Sequence, residues 1–319
     1  MIINLIDNDE TDWEYDSQIS WWLSYLKKDL PNIYRIPSAQ KDLSIIDDKN
    51  KFILFVKGNE NHKLLDQYYN DKRVIAVIKN YPYLKNYGTE EESSFKCFAS
   101  NDGSWYHITE KEDKRTLNLP LGFCNGFTPL NRPKRELSIF FSGHWTYIRE
   151  VWFNNFFDKL DPNKVLINMY KDGFGGVENH TSMDFLSRED YATCLGNSYI
   201  ALCPQGHSAE TYRLAEAAMS GCVIISNPLP FLKCYQKLPG LKLPHLYLTK
   251  NIKGELISES TNINEAEMNK KLNDYLDSSI KNILENFDTF STLSVNWYNL
   301  FISPKSISKQ IISHVEAIS

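Results

Sequence analysis

The chain has 319 residues, of which 42% are hydrophobic and 13% aromatic, and its net charge is -5. This length and apolar content predict a folded protein of about two domains. The slightly acidic balance argues against a general nucleic-acid binder, which carries a clustered basic surplus. No apolar run approaches the roughly 20 residues that span a bilayer. We therefore expect a cytoplasmic protein whose contact with a membrane, if it has one, is peripheral.

The six cysteines form no CxxC pair, which argues against a zinc ribbon or a thioredoxin motif. Cys203 and Cys222 lie in or beside apolar runs, where a reduced and buried thiol is the usual state. This cysteine usage indicates a reducing compartment. The seven histidines show no paired metal-ligand spacing, so no metal site is predicted.

In the first half of the chain, apolar runs alternate with segments of helical spacing. Strands are predicted over residues 2–6, 52–56 and 74–78. Helices are predicted between the first two strands, on a stripe from Ile19 to Leu26, and over residues 62–69. Residues 81–118 follow no clear period. Strands that alternate with helices indicate a parallel sheet that is covered on both faces.

The alternation restarts after the Pro- and Gly-containing stretch 120–133, which predicts a domain boundary near residue 130. Strands are predicted over residues 137–141, 165–169, 199–203, 223–225 and 245–248, and helices over residues 148–156, 188–195 and 209–220. A last helix is expected to begin with Ser303 as its cap and Pro304 as its first residue. Its apolar stripe, from Ile307 to Ile318, needs a surface to cover.

Residues 198–228, SYIALCPQGHSAETYRLAEAAMSGCVIISNP, combine a strand, a glycine loop, a helix and a second strand. Ligands of open α/β sheets bind outside the carboxyl ends of strands, so the loop 204–208 is expected to face a crevice. The start of the following helix offers N–H groups suited to phosphate. On this helix Arg213 and Glu216 share a face. An arginine suits phosphate oxygens, and a carboxylate can accept from both ribose hydroxyls. The competing interpretation is a surface ion pair.

A second glycine turn, Ser142-Gly143-His144, follows the predicted strand 137–141, and Arg149 begins the next helix. Taken alone, this pattern fits an ordinary tight turn with a surface arginine.

Together, these two segments resemble the exostosin-like glycosyltransferases. That family has a serine, an apolar strand, a P-x-G loop, an R-x-x-E helix, a glycine, and a strand that leads into proline. The matching residues here are Ser198, Pro204, Gly206, Arg213, Glu216, Gly221 and Pro228. Upstream, RELSIFFSGHWTYIRE matches the family's arginine, strand, glycine turn and second arginine, at Arg135, Gly143 and Arg149. The resemblance covers roughly residues 119–230, and it departs from the family at Gln205, where the family has a loop arginine.

The resemblance implies the GT-B fold, an α/β architecture of two Rossmann-like domains that face each other across a cleft. It also implies a C-terminal helix that crosses back to the N-terminal domain. We expect an acceptor-side domain over residues 1–130, joined by the helix 297–319, and a donor domain over residues 131–296. The implied activity moves a hexose or pentose from a nucleotide sugar, most often a UDP-sugar, to a glycan or glycolipid acceptor. Transfer is expected to invert the anomeric centre and to need neither metal nor cofactor.

The expected donor-binding residues lie in the two glycine turns and on the helices that follow them: Ser142, Gly143, His144, Arg149, Gln205, Gly206, His207, Ser208, Arg213 and Glu216. The catalytic base must face the donor from the N-terminal domain. Asp7 and Asp9 follow the first strand, and His107 and Asp102 are rivals. The alternative for Asp7 and Asp9 is that they cap the following helix.

Three other functions fit the same motifs. A sugar-nucleotide epimerase of GT-B-like fold would need no acceptor, and a fucosyltransferase-like enzyme has a related donor segment. A catalytically silent protein would bind a nucleotide sugar or a glycan without turnover.

Overall fold

The computed structural model describes residues 3–7, 33–36, 51–56, 70–80, 114–123, 127–130, 134–144, 149, 153, 162–170, 186–204, 210–227, 229, 232–242 and 265–318. These residues form two five-stranded sheets, and every described strand pair within them is parallel.

The first sheet is built from the N-terminal part of the chain. Its strands are β1 (Ile3–Asp7), β2 (Ile33–Ile36), β3 (Lys51–Val56), β4 (Val74–Asn80) and β5 (Thr116–Leu119). They lie in the order β2-β1-β3-β4-β5. The second sheet contains β6 (Leu137–His144), β7 (Val165–Tyr170), β8 (Ser198–Cys203), β9 (Val223–Ser226) and β10 (Leu241–Lys242), in the order β10-β9-β8-β6-β7.

Six α-helices are described, all of them in the C-terminal half. They are α1 (Arg188–Gly196), α2 (Arg213–Met219), α3 (Lys233–Gln236), α4 (Glu265–Glu285), α5 (Phe287–Trp297) and α6 (Pro304–Ile318). A 3-10 turn, Pro162–Lys164, precedes β7, and a π-helical turn, Tyr298–Ile302, joins α5 to α6.

Side-chain alternation along the central strands of the second sheet creates two separate cores, because successive residues of a strand point to opposite faces. On one face, Phe140 and Ile224 pack with residues of α1, α2 and α3. On the other face, Phe141 and Ile225 pack with Phe153 and with residues of α4. The sheet is therefore covered on both sides, which explains why β8 and β9 have continuous apolar sequences.

The C-terminal helix α6 returns to the first sheet. Ile307, Ile311 and Val315 pack against the core of β3, β4 and β5, and each such side chain contributes about 1.5–3 kcal/mol when fully buried. The Nε2 atom of His314 lies 3.0 Å from the carbonyl oxygen of Arg115. The helix begins as expected, because the Ser306 amide donates to Ser303 Oγ over 3.3 Å.

Two parallel α/β units with a C-terminal helix that returns to the first unit are the architecture expected of a GT-B fold, and the predicted fold class is confirmed. Phe123 and Phe127, from the segment that follows β5, pack in the core of the second unit together with Trp297 and Ile302. The predicted domain limits at residues 130 and 296 stay predictions.

Several predicted elements differ from the structure. The helix expected over residues 209–220 begins at Arg213, and the edge strand β10 (Leu241–Lys242) precedes the predicted strand 245–248, which lies outside the described residues. Strands β2 and β5 were not expected, nor were helices α3, α4 and α5. The predicted helix between the first two strands, all of residues 62–69 and most of residues 148–156 also lie outside the described part of the chain.

Candidate functional site

The strand order of the second sheet predicts a ligand-binding crevice between β6 and β8. From β6 the chain crosses over to β7, and from β8 it crosses in the other direction to β9. The helical residue Phe153, which follows β6, packs on one face of the sheet, whereas α2, which follows β8, packs on the opposite face. In parallel sheets of this strand order, ligands bind at the carboxyl ends of these two strands, where the connections diverge.

Two arginines, one from each of the two connections, meet at this point. The guanidinium carbon of Arg213 lies 4.5 Å from the ring centroid of Phe141, and that of Arg149 lies 5.3 Å from the same ring. An aromatic face attracts a guanidinium by about 0.5–2 kcal/mol, depending on solvent exposure. Phe141 therefore holds two permanent positive charges at the carboxyl end of β6.

Residues 142–144, predicted as a glycine turn, are instead the last residues of β6, where they pair with β7. Their backbone carbonyls fix the orientation of both guanidinium groups. Arg213 Nη2 donates to the carbonyl oxygen of Ser142, and Arg149 Nη1 donates to that of His144 over 2.6 Å. The Ser142 side chain accepts from Asn168 Nδ2 over 3.3 Å, which adds a side-chain contact to the pairing of β6 with β7. Ser142 and His144 thus contribute to the arginine geometry through their backbone oxygens.

Gly143 lies between these groups without room for a side chain. A Cβ at this position would lie 2.8 Å from Arg213 Nη2, 3.0 Å from Phe141 Cζ and 3.5 Å from Arg149 Nη1. The glycine therefore permits the close approach of both guanidinium groups to the backbone of β6.

Glu216 lies on α2 one turn beyond Arg213, with only 5% of its surface exposed. Its Oε2 accepts a hydrogen bond from the Tyr191 hydroxyl over 2.9 Å. Burial raises the pKa of Tyr191 well above its usual value, the Glu216 charge adds to this rise, and the nearby Arg213 charge opposes it. A surface ion pair between Arg213 and Glu216 is excluded, because Glu216 is buried.

Other predicted site residues lie outside the described residues. These are Gln205, Gly206, His207 and Ser208 of the loop after β8, and Asp9, Asp102 and His107 of the N-terminal half. Asp7 is the last residue of β1 and is in register with Phe55 of β3. Since the first sheet has the same strand order as the second, Asp7 stands at the corresponding divergence point, between β1 and β3.

Two further buried polar residues of the second unit have structural contacts. Glu210, three residues before Arg213, accepts from the Leu121 amide over 3.0 Å and from the Tyr235 hydroxyl over 2.9 Å. Arg135 donates to the carbonyl oxygens of Leu195, Ser198 and Ser220. Glu210 therefore links the segment after β5 to α3, and Arg135 braces the amino-terminal edge of the second sheet.

Sequence reasoning missed Phe141 and Tyr191, which hold the predicted charged residues in place. Phe141 is one of several apolar residues in β6, and Tyr191 belongs to a helix with no distinctive motif. The role of Tyr191 follows only from the packing of α1 and α2 on the same sheet face. The role of Phe141 follows from its contacts with Arg149 and Arg213.

Within the described part of the chain, no group of three or more His, Cys, Asp or Glu side chains is arranged to hold a metal ion. Of the helices described, none is long and apolar enough to cross a membrane.

No family model matches the chain, and no curated protein matches its sequence. Its structure is similar to several solved structures. HepE from Anabaena in complex with UDP-glucose has a TM-score of 0.48 at 9% identity, covering 99% of this chain and 100% of that one. AviGT4, a glycosyltransferase involved in avilamycin A biosynthesis, has a TM-score of 0.46 at 9% identity, with 99% and 98% covered.

The GtfA/B complex has a TM-score of 0.46 at 12% identity, and the match covers 92% of this chain. The chain spans 60% of the length of that protein. Identities this low do not carry an activity from one protein to another.

Proposed function

We propose that the protein is a glycosyltransferase that takes a sugar from a nucleotide sugar, with a UDP-sugar as the first candidate. The observation that carries the proposal is the convergence of Arg149 and Arg213 on Gly143 at the carboxyl ends of β6 and β8. A diphosphate presents several oxygens and two or more negative charges, and guanidinium groups match such oxygens in pairs. The resemblance to the exostosin-like family supports the same assignment.

The two arginines have a clear chemical role in this reaction. When the acceptor hydroxyl oxygen bonds to the anomeric carbon, the bond from that carbon to the diphosphate oxygen breaks, and the nucleoside diphosphate leaves with the electron pair. Positive groups held in place before the reaction stabilise the charge that develops on the leaving oxygen. Arg213 and Arg149 are held in this way by the Phe141 ring and by two backbone carbonyls. They would take the place of a metal ion.

The proton of the acceptor hydroxyl must be taken up by a base on the acceptor side of the site. In an inverting reaction this base removes the proton of the acceptor hydroxyl as the new bond forms. We assign it to Asp7 or Asp9, with His107 as the rival. Asp7 stands at the end of β1, where a Rossmann-like unit presents residues to a ligand. The acceptor is a glycan or glycolipid, and the setting is cytoplasmic, with peripheral membrane association for a lipid acceptor.

The first test is a thermal-shift panel of nucleotide sugars that differ in base and sugar. A ligand at 100 times its Kd stabilises the folded protein by about 2.7 kcal/mol, so the correct nucleotide should stand out. The unmodified protein is then incubated with the stabilising nucleotide sugar and an acceptor mixture, and the products are identified by mass spectrometry. We expect free UDP together with an acceptor enlarged by one sugar.

Other outcomes separate the competing functions. Isomerised donor without acceptor would indicate an epimerase, a preference for a GDP-sugar with fucosyl transfer would indicate a fucosyltransferase-like enzyme, and binding without turnover would indicate a silent binding protein. If no nucleotide sugar stabilises the protein, the proposal is wrong.

A further inference from the structure

A half-buried tyrosine holds the carboxylate of Glu216 in a fixed position. Tyr191 extends from α1, and its hydroxyl donates to Glu216 Oε2 on α2 over 2.9 Å. The Tyr191 ring packs against two phenylalanines, with its centroid 5.6 Å from that of Phe140 and 6.0 Å from that of Phe127. Because these two aromatic contacts restrict the orientation of the ring, they also fix the position of the Tyr191 hydroxyl.

A glutamate needs such a partner if it is to recognise a ribose. Its side chain has three rotatable bonds, and ordering a side chain of this type costs up to about 1.5–2 kcal/mol. A carboxylate has about four lone-pair sites on its two oxygens, so one tyrosine O–H does not exhaust its capacity to accept. A glutamate already held by a neighbour loses less freedom when the ribose hydroxyls bind.

We propose that Tyr191 is a positioning residue for ribose recognition, and that the site thereby selects ribonucleotides over nucleotides without ribose hydroxyls. This inference rests on the proposed function, in which Glu216 binds the ribose of the donor. Tyr191 remains protonated and therefore remains a donor at physiological pH, since burial and the adjacent carboxylate raise its pKa. The hydrogen bond fixes the carboxylate before the nucleotide arrives.

The chain contains a matched control for this pair. Tyr235 donates to Glu210 Oε2 over the same distance, 2.9 Å. Glu210 is 3% exposed and Glu216 is 5% exposed, and burial likewise raises the pKa of Tyr235 well above its usual value. The second pair lies in the same unit but holds the backbone at Leu121. Tyr191→Phe and Tyr235→Phe thus remove equivalent hydrogen bonds, of which only the first involves Glu216.

The experiment measures the affinities of UDP, 2′,3′-dideoxy-UDP and inorganic pyrophosphate by calorimetry. We expect the parent protein to bind UDP more tightly than dideoxy-UDP. Tyr191→Phe should weaken UDP binding on the order of tenfold, the effect of losing one favourable contact, and should change the other two affinities less than about twofold. Tyr235→Phe should keep the parent's ratio of UDP to dideoxy-UDP affinity, even if its melting temperature falls as much as that of Tyr191→Phe.

A second variant guards against a folding defect in Tyr191→Phe. Glu216→Asp shortens the side chain by one methylene, which withdraws the carboxylate from the Tyr191 hydroxyl, and it should lower the same ratio. If Tyr191→Phe weakens all three probes equally, the residue is merely structural and the inference is wrong. If the parent itself binds UDP and dideoxy-UDP equally, the ribose role of Glu216 fails, and the inference fails with it. Absence of UDP binding in the parent would instead overturn the proposed function.

Discussion

The close packing at Gly143 makes Gly143→Ala a sensitive test of the arginine site. The added Cβ would lie 2.8 Å from Arg213 Nη2, about 0.6 Å inside the 3.4 Å at which ordinary contact begins. The backbone there is an ordinary strand, so alanine is compatible with it. The nearest atom is the end of a flexible side chain, and the guanidinium should move away from Ser142 and from its place over Phe141.

A displacement of this size should weaken diphosphate binding measurably. Since misplacement by 1 Å can cost about 100-fold in function, we expect roughly a tenfold higher Kd for UDP, or about 1.4 kcal/mol. Calorimetry with UDP measures the affinity, and thermal unfolding checks that the fold persists.

A double-mutant cycle separates an effect through Arg213 from a general disturbance of the end of β6. Arg213→Ala alone should cost about 1.5–3 kcal/mol of UDP binding, the value of a hydrogen bond to a charged group. If Gly143 acts through this side chain, adding Gly143→Ala to Arg213→Ala should cost little more, because the two changes are coupled. Fully additive losses, or an unchanged Kd in Gly143→Ala, would refute the reasoning.

Four further outcomes follow from the same contacts. Glu216→Gln should weaken UDP binding in calorimetry without changing pyrophosphate affinity, and equal losses for both would argue against a ribose contact. Asp7→Asn and Asp9→Asn should be compared in a transfer assay, where the base should lose about 100-fold or more in rate with donor affinity retained; normal turnover in both would move attention to the rival histidine. Arg135→Met removes the donor to three buried carbonyls and should lower the free energy of unfolding by roughly 3 kcal/mol or more, measured with urea. Burial raises the pKa of the Cys222 thiol from 9.0 to about 11, so the unfolded chain loses this proton first and stability falls as pH rises from about 9 to 11. Cys222→Ala should reduce this alkaline loss of unfolding free energy by up to about 2–3 kcal/mol. If the unfolding free energies of parent and variant fall equally between about pH 9 and 11, the raised pKa of Cys222 is contradicted.

The sequence predicts the central strands well, but of the four edge strands of the two described sheets it predicts only β7. Strands β6, β8 and β9 lie within or beside the predicted apolar runs, because side chains on both faces of each strand are buried. The missed strands β2 and β5 are four-residue edge strands of the first sheet. An edge strand has a neighbour on one side only, and its shorter, mixed sequence lacks a continuous apolar signal.

Only part of the candidate site can be inferred from local patterns. The motifs place Gly143 and Arg213 at two strand-to-helix turns, but these residues are 70 positions apart in the chain. Their proximity depends on the pairing of β6 with β8. The role of Tyr191 depends further on the packing of α1 beside α2 on one face of the second sheet. The spacing of apolar residues within a single helix does not predict which helices pack side by side.

The most direct test of the central claim is a crystal structure of the protein with UDP. We predict that the diphosphate lies at the carboxyl ends of β6 and β8, within hydrogen-bond distance of the Arg213 guanidinium and beside Gly143, with the ribose hydroxyls at Glu216. A diphosphate bound at the first sheet, or away from both arginines, would contradict the account.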